Sequence, residues 1–397
     1  MIRMTLLACL CGLIGSEIVW AADPRLEKVL ADWQKRQQRF DAAEYQVRGL
    51  LKVPKGAYSN DMAIMLYGTK AGQINPSQDV EGTVGFTVLL DFVKGRHRRD
   101  IQQRLFDPGS GHLGAPIRMK DVFNGSQMKC LIPKEENPGQ YVSVTQPELT
   151  ITSGNMKNGE FKNEYYPLFF AHGRIHTDRE PILPGKLRHK IHSDYMYVHD
   201  TGVLDERKCL ILRTQPLPEF ANKPFEEYWV DTERDSAVVR YVRYVGPKPL
   251  ITFEIRVRYR QYQDSWLPDG WRWTTFIKGK TLYYQEMLVA KVDRNPLITD
   301  ADFEVGEIKA GMLVEERTDL PTADPATFPK SKLSVYRVQD NGTRQDIPDP
   351  AHREGDQYSA HRTSSRLWIY MSLGIPGTLV LLVLLWKKRH CVTARAK

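Results

Sequence analysis

The chain has no Gly-x-Ser-x-Gly elbow and no cysteine in a recognised nucleophile setting, so nothing in its 397 residues marks an activated serine or thiol. Cysteine is scarce as well. Cys9 and Cys11 lie near the amino terminus and Cys391 near the other end, which leaves Cys130 and Cys209 for the body of the chain. Both sit in strand-like runs, where a bridge made in an oxidising compartment and a buried free thiol are equally ordinary outcomes. A basic body is also missing. Of the formal +8, five units belong to Lys387, Lys388, Arg389, Arg395 and Lys397, and Arg3 cancels Glu17, which leaves +3 for everything between. A basic tail does not make a nucleic-acid-binding domain, and no DNA or RNA partner is expected.

Two motif-like stretches lack what would make them work. Gly109-Ser110-Gly111-His112-Leu113-Gly114 matches the dinucleotide fingerprint letter for letter, but Pro108 and Pro116 flank it and no helix pattern follows, so it reads as a surface loop. His172, His176, His189, His192 and His199 put five of the ten histidines within 28 residues, with Asp178, Asp194 and Asp200 nearby. A zinc site needs three or four converging ligands. The first pair converges only on a helix, which Gly173 weakens, and His189 and His192 would face opposite sides of a strand. These are read as solvent-facing strand and loop residues. No catalytic, cofactor-binding, metal-binding or ligand-binding residue is singled out, and no cofactor is expected. An exported hydrolase would rest on this histidine cluster alone.

What the chain does have is a run of strands from Phe225 to Asp293. Phe253, Ile255, Val257 and Tyr259 alternate with Glu254, Arg256, Arg258 and Arg260, the two-residue period of a strand with one apolar face. Ala237–Val245, Trp271–Ile277 and Thr281–Val292 share its aromatic and branched composition. Breaks at 231–235, 246–249, Pro268-Asp269-Gly270 and Lys278-Gly279-Lys280 are too short for crossover helices, which predicts a five-strand antiparallel meander over roughly Glu226–Asp293. Its aromatics, Tyr228, Trp229, Tyr241, Tyr244, Phe253, Tyr259, Tyr262, Trp266, Trp271, Trp273, Phe276, Tyr283 and Tyr284, are expected to be mostly packed core, although one face of such a sheet is able to line an apolar cavity.

Residues 1–21 read as a secretory signal peptide, with Arg3, an apolar run from Met4 to Ile14, and Ala21-Ala22 at the cut. Asp23 caps a helix that Pro24 opens, with Leu26, Val29, Leu30, Trp33, Gln37 and Phe40 on one face. Strands are expected at Tyr45–Val53, Thr83–Val93, Lys186–Val198 and Arg207–Thr214, and a hairpin in Asp121–Ile132 around Asn124-Gly125. Tyr165 to Pro184 reads as a short helix or lid. The exported domain is set at residues 22–319, followed by a polar, proline-rich linker at 320–366 with a reach of about 35–40 Å and one strand at Leu333–Val338. Leu367–Trp386 is 20 residues without a formal charge, a transmembrane helix by length and aromatic flanks, and the 11-residue basic tail 387–397 would stop it on the cytoplasmic side. The fold class is therefore α+β: a curved, unclosed antiparallel half-barrel with helices in its concave face, plus a carboxy-terminal transmembrane helix.

The helix Pro24–Phe40 running into Tyr45–Val53 resembles the opening of the periplasmic lipoprotein-carrier fold, the LolA, LolB and RseB-like group. Glu227-Tyr228-Trp229-Val230-Asp231, the segment Tyr259–Phe276 with its Trp266-Leu267-Pro268 loop, and Asp300–Glu315 around Gly311-Met312-Leu313-Val314 are similar to that group's later strands and closing segment. The resemblance spans about Pro24–Arg317. It implies a cavity for acyl chains, and hence a non-catalytic periplasmic protein, tethered to the inner membrane, that binds lipid or lipoprotein acyl chains. The RseB-like branch implies instead a sensor or scaffold for another envelope protein. The anchor departs from the soluble carriers, which shuttle freely.

Overall fold

The computed structural model describes residues 23–59, 63, 75–107, 112–133, 147–154, 165–175, 191, 195–214, 225–245, 250–319 and 331–347. The signal peptide, the 367–386 segment and the basic tail lie outside these residues, as do Pro181, Pro184 and the 246–249 turn. Among the described residues no helix is long and apolar enough to cross a membrane.

A single sheet dominates. Its strands are β1 (Ala42–Val53), β2 (Val80–Asp91), β3 (Arg96–Asp107), β4 (His112–Phe123), β5 (Met128–Leu131), β6 (Leu149–Gly154), β7 (Met196–Leu204), β8 (Arg207–Thr214), β9 (Phe225–Asp231), β10 (Ala237–Val245), β11 (Leu250–Tyr262), β12 (Ser265–Ile277), β13 (Lys280–Arg294), β14 (Leu313–Asp319), β15 (Ser331–Val338) and β16 (Arg344–Asp346). They lie in the order β16-β15-β14-β6-β5-β4-β3-β2-β1-β13-β12-β11-β10-β9-β8-β7, and the two ends do not meet, so the sheet is curved but unclosed. All pairings are antiparallel except β6 with β14, which is parallel. Two helices complete the described elements, α1 (Pro24–Gln37) and α2 (Tyr166–Ala171), with a single 3-10 turn at Asp300–Phe303.

The meander β9–β13 is present as five consecutive strands. Phe253, Ile255, Val257 and Tyr259 are buried while Arg256, Arg258 and Arg260 are exposed, as the alternation requires. One turn differs. Pro268-Asp269-Gly270 does not link β11 to β12; the chain reverses at Gln263-Asp264, with Gln263 at φ +51°, and Pro268 sits inside β12 where the register slips between Arg258 and Tyr259. A bulge tolerates the missing proline N–H.

Strand β3 was not expected, because the residues on its core face are His97, Arg99, Ile101 and Gln103, mostly polar yet buried. β7 begins at Met196 and carries the end of the expected Lys186–Val198 strand; residues 186–190 and 192–194 lie outside the described set. The hairpin at Asn124-Gly125 is found between β4 and β5: Asn124 Oδ1 accepts from the N–H groups of Ser126 (3.1 Å) and Gln127 (3.0 Å), and Gly125 takes φ +107°. The strand anticipated at Leu333–Val338 is β15, and it pairs with β14, so the sheet runs on to Asp346. Cys130 on β5 and Cys209 on β8 are both free thiols.

The main core fills the concave face. A second, smaller cluster forms on the opposite face near the β14–β15 end, where Leu89, Val122, Leu149, Phe303, Val314 and Tyr336 pack together. The 3-10 turn supplies Phe303 to it.

Candidate functional site: the concave face

Helix α1 starts where Asp23 Oδ1 accepts the N–H of Arg25 at 2.9 Å and Pro24 supplies the first turn. It buries Leu26, Val29 and Trp33 at one end of the concavity. Trp33 Nε1 donates to the Ser236 carbonyl (2.7 Å) in the β9–β10 turn, and the buried Arg36 guanidinium reaches the carbonyls of Phe170, Arg234 and Trp266 at 3.3–3.4 Å. This helix is pinned to strand ends by polar contacts as well as apolar ones.

Helix α2 is different in kind. All six residues, Tyr-Pro-Leu-Phe-Phe-Ala, are buried, and no side chain caps its amino end. Besides the Arg36 contact to the Phe170 carbonyl, rings surround it: Tyr166 and Phe170 meet Tyr241 at 5.9 and 5.6 Å between centroids, Phe170 meets Tyr228 at 6.1 Å, and the preceding Tyr165 meets Phe86 edge-on at 4.9 Å. Beside it lies a small cavity lined by Val88, Leu90, His97, Arg99, Tyr165, Leu168 and Phe169, with room for about one water molecule. Arg99 pairs with Asp121 across β3 and β4 and lies 4.6 Å over the Tyr165 ring.

Several polar groups are sealed into this apolar layer. His172, the residue capping α2, accepts or donates a 2.7 Å hydrogen bond with the Tyr45 hydroxyl and stands against Phe40 and Phe92. Burial, with Arg174, Arg36 and Arg39 nearby, pushes its pKa down to about 3, so the ring is neutral. Glu226 is fully buried and accepts from Tyr241 (2.8 Å) and Tyr228 (3.2 Å). Burial raises the Tyr241 pKa well above its ordinary value.

Farther along the same face, β12 and β13 present Trp271, Trp273, Thr275 and Gln285. All four are buried, and the two indole N–H groups, the threonine hydroxyl and the glutamine Oε1 meet no hydrogen-bond partner among the described residues. Trp273 and Gln285 are directly opposed across the two strands.

The expected aromatics divide by face. Tyr228, Tyr241, Phe253, Tyr259, Trp271 and Trp273 are buried in the concave core, and Trp229, Tyr262, Trp266 and Tyr283 pack partly against it. Tyr284 lies outside, 4.1 Å beneath the Arg272 guanidinium. Of the five histidines, His172 is buried, His199 lies on β7, and His176, His189 and His192 are outside the described residues; no cluster of metal-ligating side chains occurs among those described. Residues 109–111 of the glycine-rich stretch are outside as well, and His112 opens β4, a strand rather than a phosphate-binding helix. The interior groups Glu226, Arg99 and Gln285 were not anticipated. The available signal was a polar residue in the core phase of a strand.

No family model matches this chain, and no curated protein does. Solved structures do. A LolA superfamily protein from Nitrosomonas europaea is similar over 70% of this chain and 97% of its own, at 11% identity and a TM-score of 0.37. A Vibrio parahaemolyticus domain assigned to outer membrane lipoprotein sorting covers the same shares at 12% identity and a TM-score of 0.35. A DUF1329 family protein from Desulfovibrio piger covers 71% of this chain and 98% of its own, at 12% identity and a TM-score of 0.35. The superpositions are loose, and no residue role, ligand or activity passes from them.

Proposed function

We propose that this protein binds acyl lipid, or the acyl chains of a lipoprotein, on the concave face of its sheet, and that it does so on the outer side of the inner membrane, tethered there by residues 367–386. The observation that carries the reading is α2: a six-residue, wholly buried apolar helix packed into the concavity against the rings of Tyr228 and Tyr241, with no side chain capping its amino end. Such a segment fills the space an acyl chain would take with apolar side chains that an acyl chain is able to replace in kind. Each methylene moved from water to apolar contact contributes about 0.8 kcal/mol, enough for reversible holding with no chemical step.

Native mass spectrometry with lipid extraction, on residues 22–365 exported by a bacterial host and purified without detergent, tests this. An acyl species at near one per chain is expected. A clean apo mass that persists after incubation with short-chain phospholipid would defeat the reading and turn attention to a protein-binding scaffold.

A further inference from the structure

We propose that Trp271, Trp273, Thr275 and Gln285 form a polar subsite in the concavity that recognises the neutral head of an acylated ligand: a carbonyl with an adjacent hydroxyl or amide N–H, as in a monoacylglycerol or an N-acyl amide. This rests on the acyl-binding reading and names the ligand class. Buried polar groups in folded proteins are nearly all paired, and an exception calls for an explanation. Here four fall on one patch. Trp271, Trp273 and Thr275 share one face of β12 by their two-residue spacing, and Gln285 stands opposite Trp273 on β13. The two indole N–H groups, the Thr275 hydroxyl and Gln285 Oε1 each lack a hydrogen-bond partner among the described residues.

Their chemistry restricts what would satisfy them. Indole nitrogens only donate, so the ligand must offer an acceptor; the Gln285 oxygen only accepts, so the same head must also offer a donor; the Thr275 hydroxyl serves either. The patch itself carries no formal charge, which suits a neutral ester or amide better than a carboxylate or a phosphate, whose desolvation would go uncompensated. Apolar company for the chain is adjacent. Trp271 lies 6.4 Å from Phe86, and Phe86 meets Tyr165 at the start of α2. A ligand whose head is fixed at Trp273 and Gln285 would therefore lead its chain toward α2.

The test uses the full chain in membranes of producing cells. Two alkyl-diazirine probes of equal chain length, a monoacylglycerol and the corresponding methyl ester, are photolysed in the presence of unlabelled competitors, and labelled peptides are read by mass spectrometry. On wild type the monoacylglycerol should compete about tenfold better than the methyl ester, the scale of one or two well-made hydrogen bonds. Trp273→Phe and Gln285→Met, which keep size and apolar contact, should each shrink that preference to about twofold with methyl ester labelling unchanged. Equal competition on wild type, or a preference that survives in both variants, overturns the polar subsite and leaves acyl binding standing. Absence of labelling by either probe on the concave strands overturns both.

Discussion

The Tyr45 hydroxyl and His172 Nε2 lie 2.7 Å apart, both residues buried, and this contact ties the central strand β1 to the end of α2. It holds a neutral imidazole. The folded pKa is depressed to about 3 from an ordinary 6.5, so above about pH 6.5 neither folded nor unfolded chain is protonated there, and stability is undiminished. Below it the unfolded chain takes a proton that the folded one refuses, and stability falls by about 1.4 kcal/mol per pH unit down toward pH 3. Urea unfolding at pH 7.5, 6 and 5 should show a loss of about 2 kcal/mol over this range that His172→Gln removes. An identical loss in the variant would assign the pH dependence to other groups.

Gly173 follows His172 at φ +66°, and a Cβ there would strike the backbone carbonyl of Trp33 on α1. Two helices thus meet at a point where only hydrogen fits. Gly173→Ala should cost about 2–3 kcal/mol, whereas Gly56→Ala, also at positive φ (+67°) but in open space, should cost about 1 kcal/mol. Similar losses for the two would mean that the α1–α2 contact is not tight.

Asp91 closes the β2–β3 turn. Its Oδ1 accepts from the N–H groups of Val93 (3.1 Å) and Lys94 (2.9 Å), and its Oδ2 accepts Arg96 Nε at 2.9 Å, with both side chains buried. Arg96 also donates to Asp300 (2.7 Å) and lies 4.1 Å over Phe303, joining the turn to the second core. Asp91→Ala should cost about 3–5 kcal/mol, because it takes the buried partner from a buried guanidinium, leaving it only the exposed Asp300, and uncaps the Val93 and Lys94 N–H groups. Asp300, largely exposed, should tolerate alanine for less than about 1 kcal/mol. Chemical denaturation of the two variants reads the contrast directly.

Leu168 is fully buried in α2 and lines the small cavity. Leu168→Ala should lower stability by about 2–5 kcal/mol and, if α2 occupies acyl space, raise the uptake of a fluorescent fatty acyl probe. Reduced uptake in a folded variant would show that the ligand needs α2 in place.

The meander was legible because β11 keeps a strict alternation and its neighbours share composition, and α1 because Asp23-Pro24 starts it and its apolar face repeats helically. β3 was not, since Arg99 and Gln103 occupy core positions and Arg99 is compensated by Asp121 on β4, a partner that sequence order does not place beside it. The β11–β12 turn was misplaced because Pro268 marks turns by default, and only the bulge against Tyr259 lets it stay in a strand. The concave polar groups were hidden for the same reason as β3. A glutamine at position 285 looks like surface until the register puts it opposite Trp273.

Strand β1 lies between β2 and β13, with Tyr45 opposite Val88 on one side and Val292 on the other. For a chain made amino terminus first, this sets an order of assembly. The opening helix finds its seat only once Ser236 and Trp266 exist, and β6 gains its parallel neighbour only when β14 arrives. Half the sheet must wait with one flank bare. Such long-range closure slows folding and leaves unpaired strands exposed meanwhile, so the youngest part of the molecule governs when the oldest part becomes safe from aggregation.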